Sequence, residues 1–312
     1  MNYYQLPNPD VSKAGTSRFA IYPNFYTYQY EFFHYYELCR ILRKNCGLMK
    51  SRGIGFSEIN AALIANEYSC HRESNSILTA FNSNYVEKSL EKVWNELTFL
   101  NDETDLGFFK LRQVIDSQLK KRASYYKIKN GQKVEDGFMS QIEGIIAEKD
   151  SKIRGDRADL LILEEAGSNP IFSKSFVKAE ALTTLGGNKI GVIIAGGTGG
   201  DTGPQMAGLI DMYYDPASVD ILPFYHNYTP DGSWVYTCFF IPAYTALYKK
   251  EYIDERGVCD IKKAKSYYDK ERDKRKANPK KLVDYCAEFC YTAEEAFALE
   301  GTNKFNKVLL TD

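Results

Sequence analysis

Unbroken apolar runs and helical-period stripes alternate along residues 25–200. The runs are Asn45 to Met49, Ser76 to Ala80, Leu160-Leu161-Ile162-Leu163 and Lys189 to Ala195, and Ser140 to Ile146 is a further strand-like stretch, interrupted by Gln141 and Glu143. Short apolar runs bounded by turn residues read as strands buried on both faces. The stripes between them predict helices over Phe25 to Leu42, Glu58 to Tyr68, Tyr85 to Phe99 and Phe172 to Leu185. In the first helix Phe25, Tyr28, Phe32, Tyr35, Tyr36 and Leu38 recur near helical period, a core-facing pattern. Alternating strands and helices predict an α/β fold with a mostly parallel central sheet flanked by helices. Residues 101–133 are charged and mixed, and read as helix and loop.

Beyond residue 200 the pattern changes. Val219 to Phe224 and Trp234 to Ile241 are strand-like. Asp260 is placed to cap a long helix from Ile261, Asn278-Pro279 interrupts it, and Thr292-Ala293-Glu294-Glu295 is a capping-box pattern. This divides the chain into an N-terminal arm with a core, 1–224, and a smaller α-rich lid subdomain, 225–312.

Composition narrows the function classes. With 312 residues, 44% of them hydrophobic, the chain can bury a large core. A formal net charge of −1 gives no global field toward nucleic acid, so any such site is a local patch. The seven cysteines form no CxxC and read as reduced thiols. Three widely spaced histidines argue against a zinc site. No apolar run approaches ~18 residues, so no membrane span is expected.

The chemistry is carried by two stretches. Lys50-Ser51-Arg52-Gly53-Ile54-Gly55-Phe56-Ser57 joins a strand to a helix. That is the context of a phosphate-binding loop, whose usual pattern puts lysine just before the Ser/Thr. Here Phe56 occupies that place and the lysine stands at the front, as Lys50. The amides from Arg52 to Ser57 can form an anion nest at a helix N-terminus, and the Ser57 hydroxyl can reach Mg²⁺. The bland alternative is an ordinary basic turn before a helix.

The second stretch is Leu160 to Leu163 running into Glu164-Glu165. Open α/β sheets place their chemistry at the carboxyl edge of such strands. Successive strand residues point to opposite sides. One acid, Glu164, can therefore hold a metal while Glu165 orients a water, the two parts an ATPase still needs. The alternative is a core strand with two solvated glutamates. Thr198, in the Gly-rich turn after the next strand, can sense a terminal phosphate; otherwise that turn is a flexible glycine loop. Lys262 to Lys281 holds ten Lys/Arg against three acids. It reads either as a solvated helix face or as a contact for a DNA backbone.

Several of these stretches, in order, resemble the ATPase region of the large terminase subunits of tailed phages, the motors that package viral DNA. Lys50 to Ser57 resembles that family's deviant phosphate loop. Arg154-Gly155-Asp156-Arg157 leading into Leu160 to Gly167 resembles its acid strand. Gly197-Thr198-Gly199-Gly200-Asp201, followed by Asp211 to Pro216, resembles its coupling motif. Asp254 to Gly257 and Thr292 to Phe297 resemble the end of its ATPase region. Glu164 stands where many members have aspartate, and Gly-Thr-Gly where many have a Thr-Pro turn.

The resemblance implies a P-loop NTPase of the ASCE type that hydrolyses ATP with Mg²⁺. It implies a homo-oligomeric ring on double-stranded DNA, with a portal protein and a small terminase subunit as partners. It also implies residence in the host cell cytoplasm, transiently at the procapsid portal, and no membrane. Lys50 to Ser57 would bind the nucleotide, Gln29 would contact adenine, and Ser57 and Glu164 would hold the metal. Glu165, Lys50, Thr198 and Arg154 would serve the reaction, Arg154 from a neighbouring subunit. Members usually carry a nuclease domain after the ATPase, and this sequence stops at Asp312, where that domain would begin, so the domain is either split off or the sequence is a fragment. No acid cluster beyond the ATPase pair is recognisable, so this chain alone is not expected to cut DNA. A helicase-like or other DNA-stimulated P-loop ATPase, and a nucleotide-binding structural protein without turnover, stay open as alternatives.

Overall fold

The computed structural model describes residues 6–7, 20–21, 26–102, 111–148, 156–199, 206–247 and 250–297. The strands that matter are β1 (Cys46–Lys50), β2 (Asn75–Ala80), β3 (Ile115–Asp116), β4 (Lys120–Arg122), β5 (Tyr125–Lys129), β6 (Gln132–Asp136), β7 (Gln141–Ile146), β8 (Leu160–Leu163), β9 (Val192–Thr198), β10 (Phe224–His226), β11 (Val235–Thr237) and β12 (Phe239–Ile241). The helices are α1 (Thr27–Leu42), α2 (Phe56–Cys70), α3 (Ser83–Asp102), α4 (Phe172–Leu182), α5 (Ala207–Tyr214), α6 (Ile261–Asp273), α7 (Pro279–Glu288) and α8 (Ala293–Phe297). The central sheet has eight strands in the order β12-β1-β9-β8-β2-β7-β4-β3. It is mostly parallel, as the alternation of strands and helices requires.

Two compact units interleave along the sequence instead of dividing at residue 224. One is built around Gly55–Glu164 and Lys174–Ile193, the other around Asn24–Ile54, Glu165–Ser173 and Ile194–Asp312. In the first, β2 lies between β8 and β7, parallel to both, with Ile77 opposite Leu161 and Glu143. Every residue of β2 and β8 is buried, so both faces of these strands are covered. α2 and α3 bury Ile59, Leu63, Ile64, Val86, Leu90 and Val93 in this unit.

In the second unit β1 lies between β12 and β9, parallel to both. Its core is aromatic. Phe32 and Tyr35 of α1 meet Phe239 with ring centroids 5.7 and 5.2 Å apart, and Phe224 stands 4.4 Å from Phe239. Among the described residues of the sequence pattern Leu38 is the exception, since it lies exposed on α1, and Phe25 lies outside the described residues. Asp260 caps α6 by accepting from Lys263 N, and Asn278 caps α7 by accepting from Lys281 N.

Among the elements that differ from the sequence reading, the strand expected over Val219 to Phe224 is instead a one-turn 3-10 helix at Pro216–Val219 followed by β10 from Phe224. Residues 111–136 hold four strands, β3 to β6, where helix and loop were expected. The strand expected from Lys189 starts at Val192 and runs on to Thr198. Gly186 and Gly187, at φ of 56° and 82°, fold Asn188-Lys189 back on Thr184-Leu185 as a separate hairpin. The stretch Trp234 to Ile241 is two strands, not one. β11 pairs antiparallel with β10, and after Cys238 the chain joins the main sheet as β12.

Candidate functional site

In the second unit, Lys50 is the last residue of β1, and the register sets it opposite Thr198 of β9. Its Nζ donates to Thr198 Oγ1 at 2.8 Å and stands 3.6 Å from Glu165 Oε1. The lysine is only 8% exposed, so this charge is held largely away from bulk water. Thr198 also reaches Glu165: its amide is 3.4 Å and its hydroxyl 3.5 Å from Oε2.

Two backbone features make this approach possible. Gly196 lets β9 lie close against β1, because a Cβ there would fall 2.6 Å from the Leu48 backbone oxygen. Glu165 has φ 49° and ψ 52°, a left-handed conformation that non-glycine residues rarely adopt. The Glu164 amide still donates to Thr79 O of β2 at 2.8 Å, and the chain leaves the extended conformation at Glu165.

In the first unit, Glu164 is buried and both its carboxylate oxygens are occupied. Ser57 Oγ donates to Oε1 at 2.5 Å, and Asn60 Nδ2 donates to Oε2 at 2.7 Å. Ser57 and Asn60 are three residues apart on α2, which puts them on one face of the helix. Asn60 is fully buried and its Oδ1 has no partner among the described residues. Asn60 was not singled out from the sequence. Its i, i+3 spacing from Ser57 was the available signal.

The loop between Lys50 and Ser57 is narrower as an anion nest than its sequence suggested. The Arg52 amide donates to Glu288 O at 2.8 Å, and Arg52 Nε pairs with the Glu288 carboxylate. Ser51 N is likewise taken, by Ile241 O at 3.1 Å. Neither amide is left for a phosphate. The amides of Gly53, Ile54, Gly55 and Ser57 make no hydrogen bond to the described residues. Gly53 and Gly55 have φ of 80° and 71°, which turns successive amides in the loop. Ser51 Oγ is buried without a partner among the described residues, and Phe56 is buried as the first residue of α2.

Gln29 is buried in the first turn of α1, where its Oε1 accepts from Tyr26 N at 3.1 Å. That bond commits its acceptor to the helix start. Arg154, Gly155, Gly200 and Asp201 lie outside the described residues.

No protein-family model matches the sequence, and no curated protein matches it. The structure does match solved ones. An arginine-to-alanine variant of the Thermus phage P74-26 large terminase ATPase domain aligns over 80% of this chain and 88% of that one, with 12% identity and a TM-score of 0.51. The chain has the fold of a large-terminase ATPase domain. The HK97 bacteriophage large terminase is also similar, with 14% identity, a TM-score of 0.43, and 80% and 48% of the two chains covered. So is the large terminase of a thermophilic bacteriophage in complex with ADP, with 10% identity, a TM-score of 0.41, and 64% and 44% covered.

On this terminase fold the residues offer three kinds of chemistry. Lys50, Thr198 and Glu165 form a linked cation, hydroxyl and carboxylate. Ser57 and Glu164 are hard oxygen donors. Mg²⁺ takes one or two protein oxygens and keeps several waters. The donor pair therefore suits it, although no group of three or more His, Cys, Asp or Glu gathers among the described residues. The unbonded loop amides and the buried Ser51 hydroxyl suit a polyanion.

The basic stretch 262–281 is mostly committed elsewhere. Arg272 is bidentate to Glu295, both contacts 2.8 Å, and lies 3.5 Å from the Tyr291 ring centroid. Arg275 and Lys274 pair with Glu271, Lys276 with Asp273, and Lys265 sits over Tyr244. Much of that charge ties its own helices together, which weakens its reading as a DNA contact.

Proposed function

We propose that this chain is a Mg²⁺-dependent ATPase that drives double-stranded DNA into a viral procapsid, working as a homo-oligomeric ring with a portal protein and a small terminase subunit. The observation that carries the reading is the Lys50–Thr198–Glu165 cluster. It holds a buried cation, a hydroxyl and a carboxylate together at strand ends of a terminase-type fold.

Bound Mg²⁺ would supply neutralisation of the charge that develops during phosphoryl transfer. Ser57 and Glu164 would hold it. Lys50 and the amides of Gly53 to Ser57 would bind the phosphates, and Ser51 Oγ would gain a partner there. Glu165 would orient the attacking water and accept its proton. Thr198, bonded to Lys50 and within reach of Glu165, would couple the state of one to the other. Arg154 would act on the nucleotide of a neighbouring subunit.

The test is ATP turnover by the purified protein with and without duplex DNA, alongside a strand-displacement assay. The motor reading expects turnover, stimulation by duplex and no strand separation. Strand separation would make the chain a helicase instead. ATP binding without turnover would make it a structural nucleotide binder.

A further inference from the structure

The β5–β6 hairpin belongs to no part of the central sheet; it is a two-stranded ribbon of its own. All of β5 and the first three residues of β6 are exposed. A solvated hairpin adds little to the stability of a fold, so packing alone does not account for this one. Its turn, Asn130-Gly131, has φ of 52° and 76°, the left-handed pair of a tight two-residue connection. Its base is anchored. Glu135 accepts from Arg122 Nε at 2.6 Å and from Ser124 Oγ at 2.5 Å.

Residues 126–134 contain Lys127, Lys129 and Lys133 and no acid, in a chain whose net charge is −1. Lys127 pairs with Asp136 at the base. Lys129 makes no ion pair among the described residues, and Lys133 sits 4.1 Å over the Tyr126 ring. Between the lysines Ile128 is 71% exposed. A strand of five residues extends about 17 Å. The major groove of duplex DNA is ~8.5 Å deep and admits a two-stranded ribbon.

We propose that the β5–β6 hairpin engages duplex DNA, entering a groove with its Asn130-Gly131 tip while Lys129 and Lys133 contact backbone phosphates. This rests on the DNA-motor reading and gives it a contact surface. The bias toward phosphate over a protein partner comes from the charge at the tip: Lys129 and Lys133 have no acid between them, while the hairpin's two acids, Glu135 and Asp136, are paired at its base with Arg122 and Lys127, and exposed Tyr126 and Ile128 suit the sugar and base edges within a groove.

The test compares wild type with the double variant Lys129→Ala, Lys133→Ala. Duplex binding is followed by fluorescence anisotropy across a salt series, with thermal midpoint and DNA-free ATP turnover as controls. Each phosphate contact contributes ~0.9 to the slope of log K against log salt. The variant should therefore have a slope shallower by about two, weaker binding, and unchanged controls. A wild-type protein that binds no duplex at low salt overturns the DNA reading and this proposal together. Wild-type binding matched by the variant, slope included, overturns the hairpin's role alone. If in addition Ile128→Ser changes the oligomeric state, the hairpin is a contact between copies of the chain.

Discussion

Lys50 Nζ is shared between the Thr198 hydroxyl, at 2.8 Å, and the Glu165 carboxylate, at 3.6 Å. A phosphate arriving at Lys50 must therefore compete with Glu165 for the ammonium. On the proposed reading, binding nucleotide loosens Glu165 from its cation and frees it for water. Lys50→Ala should abolish turnover in a malachite-green phosphate assay. A loss within twofold would mean that the pair is only structural. Phe56→Lys in that background should restore nothing, because position 56 is buried and cannot present a cation to the loop.

The two glutamates should separate by phenotype, since they bond to different partners. Glu165→Gln should still bind ATP but turn over ~10²–10³-fold more slowly, as loss of a general base does. Glu164→Ala should raise the Mg²⁺ concentration needed for half-maximal nucleotide binding. Titration calorimetry with and without Mg²⁺ follows the binding and the phosphate assay follows the turnover. Identical profiles for the two variants would remove the division of labour.

Asn60 should behave as a positioning residue for Glu164. Asn60→Ala leaves the buried Oε2 without its donor, a loss of about 1–3 kcal/mol in denaturant unfolding. Its kinetic signature should be a several-fold higher requirement for Mg²⁺, with turnover near wild type once Mg²⁺ saturates. A fall in turnover that Mg²⁺ does not rescue would argue against positioning.

His226 should make the protein lose stability in mild acid. Burial pushes its pKa down from 6.5 to about 4. The bonding supports the neutral ring: Nδ1 accepts from Tyr228 N at 3.1 Å, leaving Nε2–H to donate to Thr237 Oγ1 at 2.8 Å. Between pH 6.5 and 4 the unfolded chain binds a proton that the folded one refuses. The stability present above the unfolded pKa is thus lost as pH falls through that window, by up to about 3 kcal/mol. Urea unfolding at about pH 7 and about pH 5 measures it, and His226→Gln should flatten the difference. An equal acid loss in the variant would assign the effect to other groups.

Arg154 can be tested without reference to its position. Arg154→Ala and Glu165→Gln should each be inactive alone. Mixed rings should regain part of the activity, because some interfaces pair an intact arginine with an intact glutamate. Rings shown to be mixed that stay inactive would mean that Arg154 does not act across subunits.

The parallel strands are legible in the sequence because both their faces are buried, so Leu160 to Leu163 and Ser76 to Ala80 stand out as apolar runs. The strands at 115–136 are not, because solvent reaches them and lysines interrupt the apolar alternation. Only Asn130-Gly131 marks the hairpin. In the site, Lys50, Ser57 and the acid pair are visible as local motifs. Arg52's capture by Glu288 is not, because it joins residues far apart in sequence. Neither is the role of Asn60, which looks like one more polar residue on a mostly apolar helix. Gln29 is visible as a polar exception among aromatic residues, but its bond to Tyr26 is a helix-start contact that a family resemblance does not reveal.

The left-handed backbone at Glu165 sets a trap for protein engineering. A glutamate there carries a conformational cost of about 1–2 kcal/mol that glycine avoids. A library screened on melting temperature alone would tend to enrich Glu165→Gly, and the sturdier proteins it returned would lack the carboxylate that the proposed chemistry needs. At this position the most durable version of the molecule and the working one are different sequences, so thermal screens on this chain need an activity gate.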